Sequence, residues 1–146
     1  RFNMFMFFKL PSAWWSGVRL YSINDSECIV KVRHSWINQN PFKSMFWAVQ
    51  GMAAEMTTVA FLTREINLSG ENISMLVSNN TAKFTKKATG KIRFVCTKGL
   101  EVKKLIQKAV DTGDSQTLWI DSIGYNEDNL MVSHFSFEWS VKTRKK

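Results

Sequence analysis

The sequence predicts an α+β domain in which an antiparallel β-sheet wraps around one long central α-helix. The first observation behind this is residues 41–66, PFKSMFWAVQGMAAEMTTVAFLTREI, a long apolar stretch at helical period. Phe42, Met45, Phe46, Val49, Met52, Ala53, Met56 and Ala60 recur at offsets of three and four, which lays one wide apolar face along a helix. The second is the order of the elements: two strands, this helix, then four strands interrupted by one short helix, an order that suits an antiparallel sheet and excludes a doubly wound one. The third is length. At 146 residues the chain suits a single domain, 1–146, able to bury a core without staples.

The opening RFNMFMFFKLP reads as an amphipathic first helix stopped near Pro11 and packed on the sheet. It is too short to span a bilayer, which takes about 20 apolar residues, and it lacks the cleavage pattern of a signal peptide. A lipid-facing anchor is the lesser alternative, with only Arg1 and Lys9 nearby. Residues 17–24 and 27–35 form a hairpin across Asp25-Ser26, and the alternation of Cys28, Val30 and Val32 with polar neighbours marks a strand covered on one face. Asn40 stands where a helix cap belongs and Pro41 at a first helical position, so the long helix is expected to run about 25 residues, roughly 37 Å at 1.5 Å per residue. Residues 72–87 make a long strand disturbed at Ser78-Asn79-Asn80. Then Thr89-Gly90 turns the chain into a strand over 91–97, residues 99–111 carry a short amphipathic helix closed by Gly113, and 116–124 and 130–142 pair across 126–129.

Inside the central helix, Glu55 is the lone ionisable residue between Ala48 and Leu62. A carboxylate there is either paired for structural reasons or placed for chemistry, because a buried charge must be paired or protonated. Ser44, Ala48, Gly51, Glu55 and Thr58 form a stripe of mostly small residues. A helix-interior glycine costs about 1 kcal/mol relative to alanine, so Gly51 points to another backbone or a ligand close by. The net charge of +8 is concentrated: residues 83–108 hold nine basic side chains against one acid, Glu101. Such a stretch suits phosphates, or is simply a solvated face. Cys28 and Cys96 have no metal-ligand spacing and read as buried thiols of a reducing, cytoplasmic setting. Trp14, Trp15, Trp36, Trp119 and Trp139 read as core or interface residues, and His34 and His134 as strand residues without a ligand constellation; no metal site is expected.

Residues 40–55, NPFKSMFWAVQGMAAE, resemble the helix entry of the hotdog-fold acyl-CoA thioesterases, particularly the phenylacetate-pathway type, whose pattern runs Asn, a short loop, His-Gly-Gly, then an acid. Asn40 matches the Asn, Phe46-Trp47-Ala48 stand in place of His-Gly-Gly, and Glu55 falls on the acid. Residues 83–91, KFTKKATGK, resemble the family's strand ending in Phe-x-Arg-Pro-Ala-x-x-Gly, with Lys86-Lys87-Ala88 in place of Arg-Pro-Ala. The likeness covers nearly the whole chain and is nearest to the uncharacterised thioesterase-like branch. It implies a hotdog fold, with Glu55 as general base or nucleophile, Asn40 positioning thioester or water, the backbone at Trp47 and Ala48 polarising the carbonyl, and an active site at a dimer interface. It further implies Lys86, Lys87 and Lys91 as ligands for the phosphates of coenzyme A, which enters as part of the substrate; no separate cofactor is expected.

Two departures matter. Trp47 places the largest side chain where the pattern has glycine, and a helix starting at Pro41 would bond the Trp47 N–H to the Lys43 carbonyl, leaving no oxyanion hole. The sequence therefore leaves two functions open, an acyl-CoA thioesterase or a non-catalytic hotdog that binds an acyl or aromatic ligand, in either case as a homodimer or tetramer with no membrane span. Nucleic-acid binding is disfavoured, because the basic stretch carries only Phe84 and Phe94 as interleaved aromatics.

Overall fold

A computed structural model describes residues 1–144. Helices α1 (Phe2–Lys9) and α2 (Pro11–Trp15) lead into strands β1 (Arg19–Ile23) and β2 (Cys28–Arg33). A 3-10 turn at Trp36–Asn38 precedes the central helix α3 (Trp47–Ser69), followed by β3 (Ile73–Phe84), β4 (Lys91–Cys96), α4 (Gly99–Thr112), β5 (Gln116–Tyr125) and β6 (Met131–Thr143). The six strands form one sheet in the order β1-β2-β4-β5-β6-β3, and every neighbouring pair is antiparallel. This is the predicted architecture.

The strand alternation sends Cys28, Val30, Val32, Ile92, Phe94 and Cys96 into the core against α3, while Ile29, Lys31, Arg93 and Val95 line the opposite face of the sheet. From α3, Val49, Ala53, Met56, Ala60, Phe61 and Leu62 complete that core. Burying a side chain the size of Phe61 or Leu62 contributes about 1.5–3 kcal/mol each. Two side-chain bonds fix the helix on the sheet: Thr57 Oγ1 donates to Ser122 Oγ at 2.9 Å, and Trp139 Nε1 donates to Thr58 Oγ1 at 2.9 Å. α3 stops at Gly70, which takes the left-handed conformation that a C-terminal cap requires (φ +69°). α4 packs Val102, Leu105, Ile106 and Ala109 inward, between α3 and the β5–β6 end of the sheet.

The structure corrects several expectations. α3 begins at Trp47, not Pro41, so Phe42, Met45 and Phe46 lie in the loop ahead of the helix; Met45 is buried there, while Phe42 is 70% exposed. The N-terminal segment is two short helices; α1 packs on β1 as expected, through buried Met6, partly buried Phe2 and the Asn3 side chain bonded to the Leu20 backbone, while Met4, Phe5, Phe7 and Phe8 remain exposed. Of the tryptophans expected in the core or at an interface, Trp139 is in the core and Trp14 packs half-buried against it, while Trp15, Trp36 and Trp119 are exposed in the protomer, which leaves the interface alternative open for them. Within the protomer, the nearest atom to a Cβ added at Gly51 would be Phe135 Cε1 at 3.6 Å, an ordinary contact, so no backbone of this chain crowds the half-exposed Gly51.

Candidate active site at the start of the central helix

The segment between the 3-10 turn and α3 sets where the helix starts. Asn38, almost fully buried, holds it: its Nδ2 donates to the carbonyls of Ser16 and Arg33, and its Oδ1 accepts the Ser35 N–H. Its own carbonyl accepts the Phe46 N–H at 2.8 Å. Next to it Met45 N–H donates to Ala88 O at 2.8 Å, tying the loop to the turn before β4. Between these anchors Asn40 closes a tight turn. Its Oδ1 accepts the N–H groups of Phe42 (2.8 Å) and Ser44 (3.3 Å), its Nδ2 donates to Ser44 Oγ (3.0 Å), and Lys43 takes a left-handed φ of 61°. Asn40 therefore caps this turn rather than α3.

Phe46 is the N-cap of α3, in extended conformation, and its carbonyl accepts the N–H groups of Val49 and Gln50. The N–H groups of Trp47 and Ala48 fall among the first four of the helix, which have no intrahelical acceptor. The late helix start thus supplies the two backbone donors that a start at Pro41 would have consumed, at the positive end of a 23-residue helix.

Trp47 stands at a cleft of about 580 Å³ whose walls include Phe42, Phe46 and Phe84, with Asn40, Lys86 and Lys87 also at its lining; Ala48 is the next residue along the helix but does not line it. Lys87 Nζ donates to the Phe42 carbonyl at 3.4 Å. Gln50, only 4% exposed, also lines it, and its Oε1 has no hydrogen-bond partner among the described residues. Sequence reasoning passed over Gln50, whose one signal was a long polar amide within an apolar helical run.

Glu55 lies elsewhere in the protomer. It lines a second cleft of about 350 Å³ between α2 and α3, with Leu10, Pro11, Met52, Met56 and Val59 around it and Lys9 at its edge. It is two turns beyond Trp47 on the half-exposed stripe Ala48, Gly51, Met52, Glu55 and Val59, about 12 Å along the axis at 1.5 Å per residue. Its carboxyl is half-buried, and loss of water around it raises its pKa above the ordinary glutamate value. Among the described residues no ion pair engages it. One protomer therefore brings Asn40, Trp47, Lys86 and Lys87 to one cleft, with Ala48 beside Trp47 outside its lining, and holds Glu55 apart from them. Lys91 also departs from the expected group: it lines a third cleft with Lys31 and Arg93, on the opposite side of the sheet from the core.

The domain family described as "Domain of unknown function (DUF4442)" matches residues 1–141. The chain belongs to the DUF4442 family. Similar solved structures share the hotdog fold of this DUF4442 domain. PA5026 of Pseudomonas aeruginosa, described as a protein of unknown function and "Probable Thioesterase", is 16% identical with a TM-score of 0.79, over 98% of this chain and 95% of that one. The protein OLEI01261 of unknown function from Chlorobaculum tepidum is 15% identical with a TM-score of 0.83, over 97% and 92%. PaaI of E. coli, from the phenylacetic acid degradation operon, is 12% identical with a TM-score of 0.65, over 97% and 90%. No curated protein matches the chain in sequence. Identities this low establish the hotdog fold that the helix-entry pattern implied. No helix of the DUF4442 domain, among the described residues, is long and apolar enough to cross a membrane.

Proposed function

We propose that the protein binds and hydrolyses an acyl thioester, with coenzyme A as the thiol part of the substrate. The observation that carries this reading is the start of α3 at Trp47, which leaves the Trp47 and Ala48 N–H groups without intrahelical acceptors, with Trp47 lining an aromatic cleft. Two such donors suit the oxyanion of a tetrahedral intermediate, and interactions of this kind contribute most when they are fixed before the reaction. Glu55 is the base or nucleophile, and burial, which raises its pKa, makes its carboxylate a stronger base than an exposed glutamate. Because Glu55 and the N–H pair line separate clefts in one protomer, the reading requires a homodimer in which the Glu55 carboxylate of one copy meets the donors of the other. The unpaired outer edge of β3, at the end of the sheet, is the free backbone through which two copies could join. Lys86 and Lys87 then face the phosphates of coenzyme A. Buried thiols whose pKa values are pushed up to about 12 at Cys28 and about 11 at Cys96 suit a reducing cytoplasm.

The test is a hydrolysis screen over acyl-CoA chains of several lengths, reading thiol release, with Glu55→Gln alongside. Turnover by the parent and its loss in Glu55→Gln support the reading. A second reading, a non-catalytic acyl or aromatic ligand-binding protein, is favoured by one feature, the exposed Trp47 indole where the family pattern has glycine. Saturable acyl-CoA binding without turnover assigns the protein to it.

A further inference from the structure

The sheet places four cations in a square that the chain order hides. Across the antiparallel pair β2–β4, Lys31 stands directly opposite Arg93, and Arg33 directly opposite Lys91. The intervening pair, Val32 and Ile92, points the other way, into the core. All four cations thus share the outer face of the sheet. Directly opposed residues lie about 5 Å apart at Cβ and successive same-face residues about 7 Å apart, so two rows of cations leave one patch of the sheet.

Like charges directly opposite one another destabilise a sheet, and here two such pairs are stacked. One acid stands among them without forming an ion pair. Among the described residues Glu127 is the one carboxylate in the cleft of about 310 Å³ formed with Lys31, Lys91, Arg93 and Asn126. Its Oε1 accepts the backbone N–H of Lys91 at 3.0 Å, and none of the four cations lies within ion-pair distance of any carboxylate among the described residues.

Two of the heads are held in place. Lys31 Nζ lies 3.4 Å from the centre of the Tyr21 ring. Arg93 stacks over Tyr125 at 4.8 Å and donates from Nη1 to the Asn126 carbonyl at 3.3 Å. Tyr21 lies on β1 and Tyr125 on β5, so these two heads lean to either side of the β2–β4 pair. Arg19 extends the row opposite Lys31 but is already used: its guanidinium donates to the carbonyls of Trp14 and Val18 and stacks on Trp14.

We propose that Lys31, Arg33, Lys91 and Arg93 form a binding site for a diphosphate-bearing anion on the outer face of the sheet, separate from the aromatic cleft at α3. The shared chemistry is a diphosphate, free or carried by a nucleotide. The site stands on its own geometry, whether or not the α3 cleft turns over a thioester.

The experiment is titration calorimetry of the full chain with pyrophosphate and, in a parallel arm, with ADP. It compares the parent with Lys31→Gln/Arg93→Gln and with Lys103→Gln/Lys108→Gln, which removes the same net charge from exposed positions on α4. The sheet variant should weaken binding by about tenfold or more, as loss of two charge-assisted contacts would, while the helix variant stays within about twofold. Thermal melts check folding; relief of the opposed charges should leave the midpoint unchanged or higher, and phosphate should raise the midpoint of the parent but not of the sheet variant. Should the double variant fail to fold, the exposed pair Arg33→Gln/Lys91→Gln reads the same site. Binding of pyrophosphate alone assigns the site to the free ion, and tighter binding of ADP assigns it to a nucleotide tail; both support it. No saturable heat with either ligand up to about 10 mM, or equal weakening in the two charge-matched variants, would overturn it.

Discussion

Thr58 and Trp139 meet in the core through one hydrogen bond, Trp139 Nε1 to Thr58 Oγ1 at 2.9 Å, and the same hydroxyl donates to the Glu55 carbonyl at 2.7 Å. The sheet thereby holds the turn of α3 that carries Glu55. Thr58→Val keeps the shape and removes both bonds, leaving a buried indole N–H without a partner. It should cost about 1–3 kcal/mol, read by urea denaturation.

Ala48→Pro tests the backbone donors directly. Proline is tolerated in the first turn of a helix, where its missing N–H costs no intrahelical bond. The fold should survive, while turnover falls by about 10²–10³-fold, as expected for loss of one oxyanion donor. Unchanged turnover with unchanged melting would assign the carbonyl to another group.

Glu55→Gln separates chemistry from stability. Turnover should drop by orders of magnitude with the fold intact. Because the folded pKa is raised, the folded state holds its proton over a window where the unfolded state has lost it, from about 4.3 upward. That group's contribution to stability therefore falls as pH rises through the window, and Glu55→Gln should be flatter across it by thermal melts. Any activity that needs the carboxylate should rise with pH, with a midpoint above the ordinary glutamate value.

Lys86→Ala/Lys87→Ala should weaken coenzyme A binding and flatten its dependence on salt, since clustered cations at a cleft act through a screened field. Calorimetry at low and high salt reads both effects. Equal affinity in parent and variant would leave these lysines as solvated surface.

Gly99→Ala should be among the most damaging single-atom changes in the chain. An added Cβ would collide with the Asp25 carbonyl oxygen and stand 2.8 Å from Phe61 Cε1, at the join of α4 with the β1–β2 turn. Overpacking against backbone costs typically 1–3 kcal/mol or more, visible as a lower melting midpoint.

The architecture was legible because its signals are local. The period of 3.6 along Val49, Ala53, Met56 and Ala60 and the period of 2 along Cys28, Val30 and Val32 each report the face they bury. The helix start was misread for an equally local reason: Phe42, Met45 and Phe46 carry helical spacing, and Asn40-Pro41 is a good cap signal that the chain spends on a turn instead. The clefts were only partly legible. Asn40, Trp47, Lys86 and Lys87 came together as the family pattern implied, but Glu55 lines a different cleft. Lys91 belongs with Lys31, sixty residues earlier, and that grouping depends on the β2–β4 register, which no single stretch of sequence encodes.

β3 changes character part-way along. Up to Val77 its alternate side chains, Ile73, Met75 and Val77, pack on the core. After the register shift between Val77 and Asn79 every residue to Phe84 is exposed, although pairing with β6 continues. The second half is thus a projecting ribbon held from one side only, and its outward amides should exchange with solvent quickly in a lone protomer. In an assembly that adds a strand there, the same amides would become slow, so deuterium uptake across residues 79–84 offers a reporter of association that needs no substrate.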